Sequence, residues 1–184
     1  MTRYERLMGF QFPETTHRFT SRDTILYALG VGAGDPADDP WELRHVYENG
    51  LAALPTMAVV LAYPGNWYKT LSPGLDHTLI VHASERFELH RPLPVEGTVA
   101  ARPQIVAIHD KGEGRGSLVV SRRTIIDKAS GEALATVTQT AFCRGDGNLG
   151  GPTIPSPRPH ALPARDPDML AEMPTSRRSA LIYR

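Results

Sequence analysis

The stretch Leu79-Ile-Val-His-Ala-Ser-Glu-Arg-Phe-Glu-Leu-His-Arg-Pro-Leu-Pro-Val-Glu-Gly-Thr98 decides how the chain is to be read. Glu85, Phe87 and Leu89 share one parity and Arg86 and Glu88 the other, which is the period of a strand with mixed faces. Arg91-Pro92-Leu93-Pro94 then forbids both helix and ladder, because neither proline donates an N–H and each restricts the residue before it. Glu96-Gly97 turns the chain into another β-branched run. A strand, a proline-locked corner and a return strand make one edge of an antiparallel sheet. His82 sits just ahead of the strand, where a polar side chain can face a cleft.

Downstream the pattern stays β. The spacing predicts strands over His82–His90, Thr98–Asp110, Ser117–Asp127 and Glu132–Arg144, with Lys111-Gly-Glu-Gly-Arg-Gly116 and Lys128-Ala-Ser-Gly131 as hairpin connections. Consecutive hairpins of such long strands, preceded by a helical segment, predict an α+β architecture: a curled antiparallel sheet with a helix on its concave face.

Upstream, Met1 to Pro13 reads as a polar and aromatic leader without periodicity. Thr20-Ser-Arg-Asp23 is a helix start, a hydroxyl cap with an acid in the first turn. Ile25, Leu26, Ala28 and Leu29 give that helix an apolar face, and Gly30-Val-Gly-Ala-Gly34 ends it, so the helix runs about Ser21 to Leu29. The glycines follow a helix rather than a strand and lack the G-x-G-x-x-G order, which excludes a dinucleotide fingerprint. Leu43 to Tyr47 reads as a short strand. Leu54-Pro-Thr-Met-Ala-Val-Val-Leu-Ala62 is the most apolar segment of the first half, and either a short buried helix or a core strand fits it. Tyr63 to Asp76 reads as a loop. Asp146 to Arg165, with its glycines and five prolines, reads as an extended linker, and 168–184 as the start of a following element. The domain reading is therefore 1–145, a linker over 146–167, and a further unit beginning in 168–184.

The chain's 184 residues fit one ordinary domain with a real core, and its 20 basic and 20 acidic residues give no broad electrostatic case for nucleic acid or an anionic membrane. The pairs Arg122-Arg123 and Arg177-Arg178 read as solvated faces. A lone cysteine, Cys143, excludes an internal disulfide and reads as a small buried hydrophobe in a reducing compartment. With neither a signal-type apolar run nor a membrane-length segment, the sequence points to a soluble, cytoplasmic protein. The seven histidines show no i, i+4 pairing, so no metal site is expected. Asp76-His77 and His109-Asp110 are adjacent and, in extended chain, face opposite ways, so neither is a catalytic dyad. Ser72 and Ser84 lack a nucleophile-elbow context.

Several segments together resemble the N-terminal half of the double hot dog, MaoC-like type 2 enoyl-CoA hydratases, a family that includes the hydratase part of peroxisomal multifunctional enzyme type 2. They are Tyr27-Ala-Leu-Gly-Val-Gly-Ala33, Leu54-Pro-Thr56, Val81-His-Ala83, His90-Arg-Pro-Leu-Pro94, Asp110-Lys-Gly112, the glycine-rich Gly145 to Gly151, and the tail Pro174-Thr-Ser176 with Ala180-Leu-Ile-Tyr-Arg184. They cover nearly the whole chain in consistent order. The resemblance implies a hot dog fold, a long helix wrapped by a curved antiparallel sheet, with two such units pairing through their sheets. It implies hydration of a trans-2-enoyl-CoA to the (R)-3-hydroxyacyl-CoA, without cofactor, in the cytoplasm or, in a eukaryote, the peroxisome. The family's catalytic Asp and His belong to the second unit, in a Gly-Asp-x-Asn-Pro-x-His stretch that residues 1–184 do not contain.

Carried over residue by residue, the acyl-CoA contacts of the first unit are His82, Ala83 (glycine in many relatives), Lys111 and Gly112. Lys111 offers an ammonium to a CoA phosphate, and the small neighbours leave backbone amides free to donate. The expected partners are an acyl-CoA substrate and a second hot dog unit, in the same parent chain or as a homo- or heterodimer. Two alternatives follow. One is a non-catalytic acyl-CoA-binding or scaffolding subunit that pairs with a catalytic hot dog protein. The other is a hot dog thioesterase, which needs a carboxylate on the central helix that Pro55 to Ala62 does not supply.

Overall fold

The computed structural model describes residues 1–152, 154–155, 161–172 and 175–183. The positions expected to carry part of the proline-rich linker (153 and 156–160), together with Met173, Pro174 and Arg184 of the tail, lie outside the described residues.

Six antiparallel strands form one open sheet: β1 (Thr15–Phe19), β2 (Ile80–Leu89), β3 (Gly97–Ala101), β4 (Gln104–Asp110), β5 (Ser117–Asp127) and β6 (Ala133–Cys143). Their order is β1-β3-β5-β6-β2, with β4 also on β5. Of the four predicted strands, three match to within about two residues at each end, and the fourth, Thr98–Asp110, is divided. Val99 pairs with Asp127 and Gln104 with Arg122, so one register continues across the break, but Pro103 cannot donate to the ladder and opens it. Both hairpins are as expected. At the second, the Asp127 carboxylate accepts from the Ala129 and Ser130 amides.

The helices are short. α2 (Ser21–Gly30) begins as predicted, with a reciprocal capping box between Thr20 and Asp23. The predicted strand at Leu43–Tyr47 is instead a helix, α3 (Pro40–Val46), because Asp39 caps it through the Trp41 amide and Pro40 suits its first position. The leader, read as polar and aromatic without strong periodicity, holds α1 (Arg3–Met8), started by a Thr2–Glu5 capping box, and β1 follows it. The loop over 63–76 contains the single turn α4 (Trp67–Thr70). The segment Leu54–Ala62 resolves as a 3-10 helix over Pro55–Val59. The element laid on the sheet is thus a 3-10 turn, not the long helix the resemblance implied. Near the C-terminal end, α5 (Ser179–Tyr183) follows a stretch, 161–172, that is exposed throughout and carries no helix or strand.

Two apolar clusters fill the space between sheet and helices. One joins Met57, Ala58 and Leu61 to Phe19, Val99, Ile125, Ala135 and Val137. The other joins Leu7, Phe12, Trp67 and Tyr68 to Ile108, Val119, Ala141, Cys143 and Leu149. The packed unit continues past Cys143: Leu149 is 2% exposed, and the buried Asp146 carboxylate accepts from Arg3 and from the Asp76 amide at 2.9 Å. Gly147 passes so close to the β4–β5 hairpin that an added Cβ would lie 2.1 Å from the Gly112 carbonyl oxygen. Because that neighbour is backbone, Gly147→Ala is expected to lower stability by about 2 kcal/mol. Thermal melting checks this, and an unchanged midpoint would refute it. No helix of the described residues is long and apolar enough to cross a membrane.

Candidate functional site

A β-bulge organises the candidate site. On β2 the register is regular from Ile80 opposite Cys143 to His82 opposite Ala141, slips by one residue at Ala83, and resumes with Ser84 opposite Thr140 and Glu85 opposite Gln139. In an unbroken strand His82 and Glu85, three apart, would face opposite sides. The extra residue reverses the parity, so both lie on the core-facing side with Gln139 and Ala141. The His82 Nδ1 and a Glu85 carboxylate oxygen are 3.8 Å apart.

Across β5, Ser121 pairs with Gln139 and Arg123 with Val137, which puts both on the same face. The Gln139 amide donates to Glu85 at 3.2 Å, the Arg123 guanidinium lies 3.9 Å from the other Glu85 oxygen, and it also donates to the Val59 carbonyl. Its charge sits 5.6 Å from the Tyr63 ring centroid. The row Ser121–Gln139–Glu85, with Arg123 at its border, is a polar seam between the two apolar clusters.

Arg123 is 5% exposed, so reading Arg122-Arg123 as a solvated face holds only for Arg122. Burial raises the Glu85 carboxyl above the ordinary carboxylate range, against the pull of Arg123, Gln139 and His82. Burial likewise pushes the Cys143 thiol up to about 12, which suits its reading as a small hydrophobe.

Beside this seam, and sharing Gln139 with it, opens a pocket of about 250 Å³ lined by Tyr63, Asn66, Tyr68, His77, Ile80, His82, Gln139 and Ala141. A second, more apolar pocket of about 410 Å³ lies at the other end of β2, between Ala53, Pro55, Leu89 and the proline corner at Pro92-Leu93. His82 therefore faces a pocket, and Ala83 is the exposed bulge residue beside it. Lys111 and Gly112 are at the same end of the sheet but do not line the His82 pocket. The Lys111 ammonium lies 4.7 Å from the centroid of Phe142, whose neighbour on β2 is Val81, so it stands over the opposite face from His82. Gly112 opens the hairpin with φ +93°, and its amide donates to Asp110 at 2.9 Å. Among the described residues no group of three His, Cys, Asp or Glu side chains is disposed to hold a metal ion.

Sequence reading missed Glu85, Arg123, Gln139 and Tyr68 as site residues. Glu85 on the apolar parity of β2 was the available signal. β5 gave none, since Leu118, Val120 and Ile126 on one parity balance Val119 and Ile125 on the other.

Residues 17–145 match the family described as MFE-2 hydratase 2 N-terminal domain. The chain belongs to that family. Among curated relatives, the 3-hydroxyacyl-thioester dehydratase Y of Mycobacterium tuberculosis is 36% identical over 166 residues, covering 90% of this chain and 57% of the relative. The enoyl-CoA hydratase ChsH3 of the same organism is 35% identical over 184 residues, covering 96% and 62%. The chain thus spans about three fifths of the length of these relatives. A MaoC-like dehydratase structure from Phytophthora capsici superposes with a TM-score of 0.78 at 24% identity, covering 98% of this chain and 63% of that one. That likeness shows the fold: the curved six-stranded sheet is a hot dog.

Proposed function

We propose that the chain is the acyl-CoA-binding half of an (R)-specific 2-enoyl-CoA hydratase, with the catalytic Asp and His supplied by a second hot dog unit. The observation that carries this reading is the bulge at Ala83. It turns His82 into a pocket and leaves a small residue on the open edge of the sheet, where a thioester can approach backbone. The acyl group would enter over His82 and extend along β2 towards the apolar pocket beside Pro55 and Leu89. The CoA phosphates would reach over the sheet edge to the Lys111 ammonium, the Gly112 amide being already committed to Asp110.

The reaction adds water across the C2–C3 double bond, the oxygen to C3 and a proton to C2. Donors at a helix N-terminus would polarise the thioester carbonyl while the Asp/His pair activates water and protonates C2. Residues 1–184 contain no Gly-Asp-x-Asn-Pro-x-His stretch, which supports assigning that pair to the other unit. Strand β2, ten residues long, has β6 as its one sheet partner among the described residues, and the exposed ladder edge suits pairing with a second unit.

Lys111→Ala tests the placement of CoA. It is expected to weaken trans-2-decenoyl-CoA binding about tenfold, the worth of one charge-assisted hydrogen bond. The matching pantetheine thioester, which lacks the nucleotide phosphates, should be little affected. Equal loss for both ligands, or none for either, would remove Lys111 from the site.

A further inference from the structure

The outer face of the sheet is built differently from the inner one. Ser121 and Arg123 face the core, so Arg122 and Thr124, their neighbours on β5, face outward. The registers then set two transverse rows on that side, Arg86–Thr138–Arg122–Gln104 and Glu88–Thr136–Thr124, with Arg102 at the end of the second. A groove of about 500 Å³ lies over Arg86, Thr138 and Arg122. A second, of about 480 Å³, continues from Arg122 past Arg102 to Lys128 and Glu14. On β1 the burial of Phe19 turns Arg18 the same way.

The charges on this face do not cancel. Lys128 is 3.9 Å from Glu14, but the guanidiniums of Arg18, Arg86, Arg102 and Arg122 have no ion pair or hydrogen bond among the described residues. Glu88 is the acid left against them. In a chain of 20 basic and 20 acidic residues this is a local excess of cation. A second copy docked here would set arginine against arginine. A phosphate backbone would meet Glu14 and Glu88 among the cations. A mainly acidic protein surface with an occasional cation of its own complements both signs. Pairing at the β2 edge does not compete, since it extends the sheet and leaves this face open. Four strand spacings by the six residues from Arg122 to Lys128 give about 400 Å². That is half of what one partner contributes to a standard stable interface, so the contact is transient and steered by charge.

We infer that the outer face, centred on Arg86 and Arg122, is a docking surface for the acidic surface of another protein.

Arg86 and Arg122 flank Thr138 two strand spacings apart, about 10 Å, which carboxylates at i and i+7 of a helix match. A fluorescent helical peptide with glutamates at that spacing, titrated with the full chain, is therefore the probe. Binding is expected at low ionic strength and should fall steeply as salt is added. Arg86→Glu/Arg122→Glu should weaken it by at least about tenfold, and Arg86→Gln/Arg122→Gln should act in the same direction. Arg6→Glu/Arg22→Glu, on exposed cations of α1 and α2, should leave it unchanged, with thermal melting reporting that every variant is folded. No peptide binding, or equal loss in both charge-reversed variants, would overturn the surface. Tighter binding of a DNA duplex, abolished by the same reversal, would assign the face to nucleic acid and overturn the acidic-protein reading.

Discussion

Arg123→Met is expected to destabilise the chain by about 3–5 kcal/mol at neutral pH, because it leaves the Glu85 carboxylate in the sheet's inner face without its cation. Arg123 is nearly inaccessible, and it bridges Glu85 on β2 to the Val59 carbonyl at the end of the 3-10 turn. Its removal therefore also loosens the element that covers the sheet.

The pair is not itself a large source of stability, since both charges are taken out of water to form it. The double variant Arg123→Met/Glu85→Gln should accordingly return to within about 1 kcal/mol of the unmodified chain, giving a strong coupling in a double-mutant cycle. pH gives an independent sign. Glu85 has its folded-state pKa raised, so its protonated form favours folding. That contribution is fully present below the ordinary carboxylate pKa and is lost as pH rises through the folded value. Without Arg123 the folded value rises further, so the penalty of Arg123→Met should shrink as pH falls from 7 to 5. Denaturant unfolding at the two pH values measures this. An equal penalty at both would mean that the charge on Glu85 is not what Arg123 balances.

Asp110→Ala is expected to destabilise by about 3 kcal/mol, for a different reason. The Asp110 side chain accepts from the amides of Leu149 at 2.6 Å, Asn148 at 2.9 Å and Gly112 at 2.9 Å. It thereby ties the glycine-rich 145–151 segment to the hairpin that carries Lys111. Charge-assisted bonds of this kind are worth about 1.5–3 kcal/mol each and add incompletely. Burial alone would raise the Asp110 pKa, but the three amides outweigh it and hold the carboxyl below its ordinary value. Its stabilising contribution is thus present above the ordinary carboxylate pKa and lost as pH falls through the depressed folded one. Acid unfolding should begin at higher pH in Asp110→Ala, alongside a lower melting temperature at pH 7. If the two acid transitions coincide, the loop is held by something else.

These two residues also mark how far sequence carries the account. Asp110-Lys-Gly112 was visible as a motif, yet its aspartate acts on a segment nearly forty residues away, which no local pattern encodes. Arg123 was visible as half of a basic pair, and period-2 geometry implies that only one of two neighbours can face inward, but both parities of β5 are apolar enough to serve. The strands after Ile80 were legible because turns and alternation agree there. Leu43–Tyr47 was misread because its β-like composition hid the Asp39-Pro40 helix start. The parity switch at Ala83 is invisible in sequence, since a bulge is a property of two strands together.

The central claim, that this chain binds an enoyl-CoA while the proton-transferring groups reside in another hot dog unit, is tested most directly by giving the purified 184-residue chain trans-2-decenoyl-CoA and following binding and hydration together. The account predicts saturable binding with no loss of the enoyl group until a unit carrying the Gly-Asp-x-Asn-Pro-x-His stretch is added. Turnover by this chain alone, or no binding at all, would contradict it.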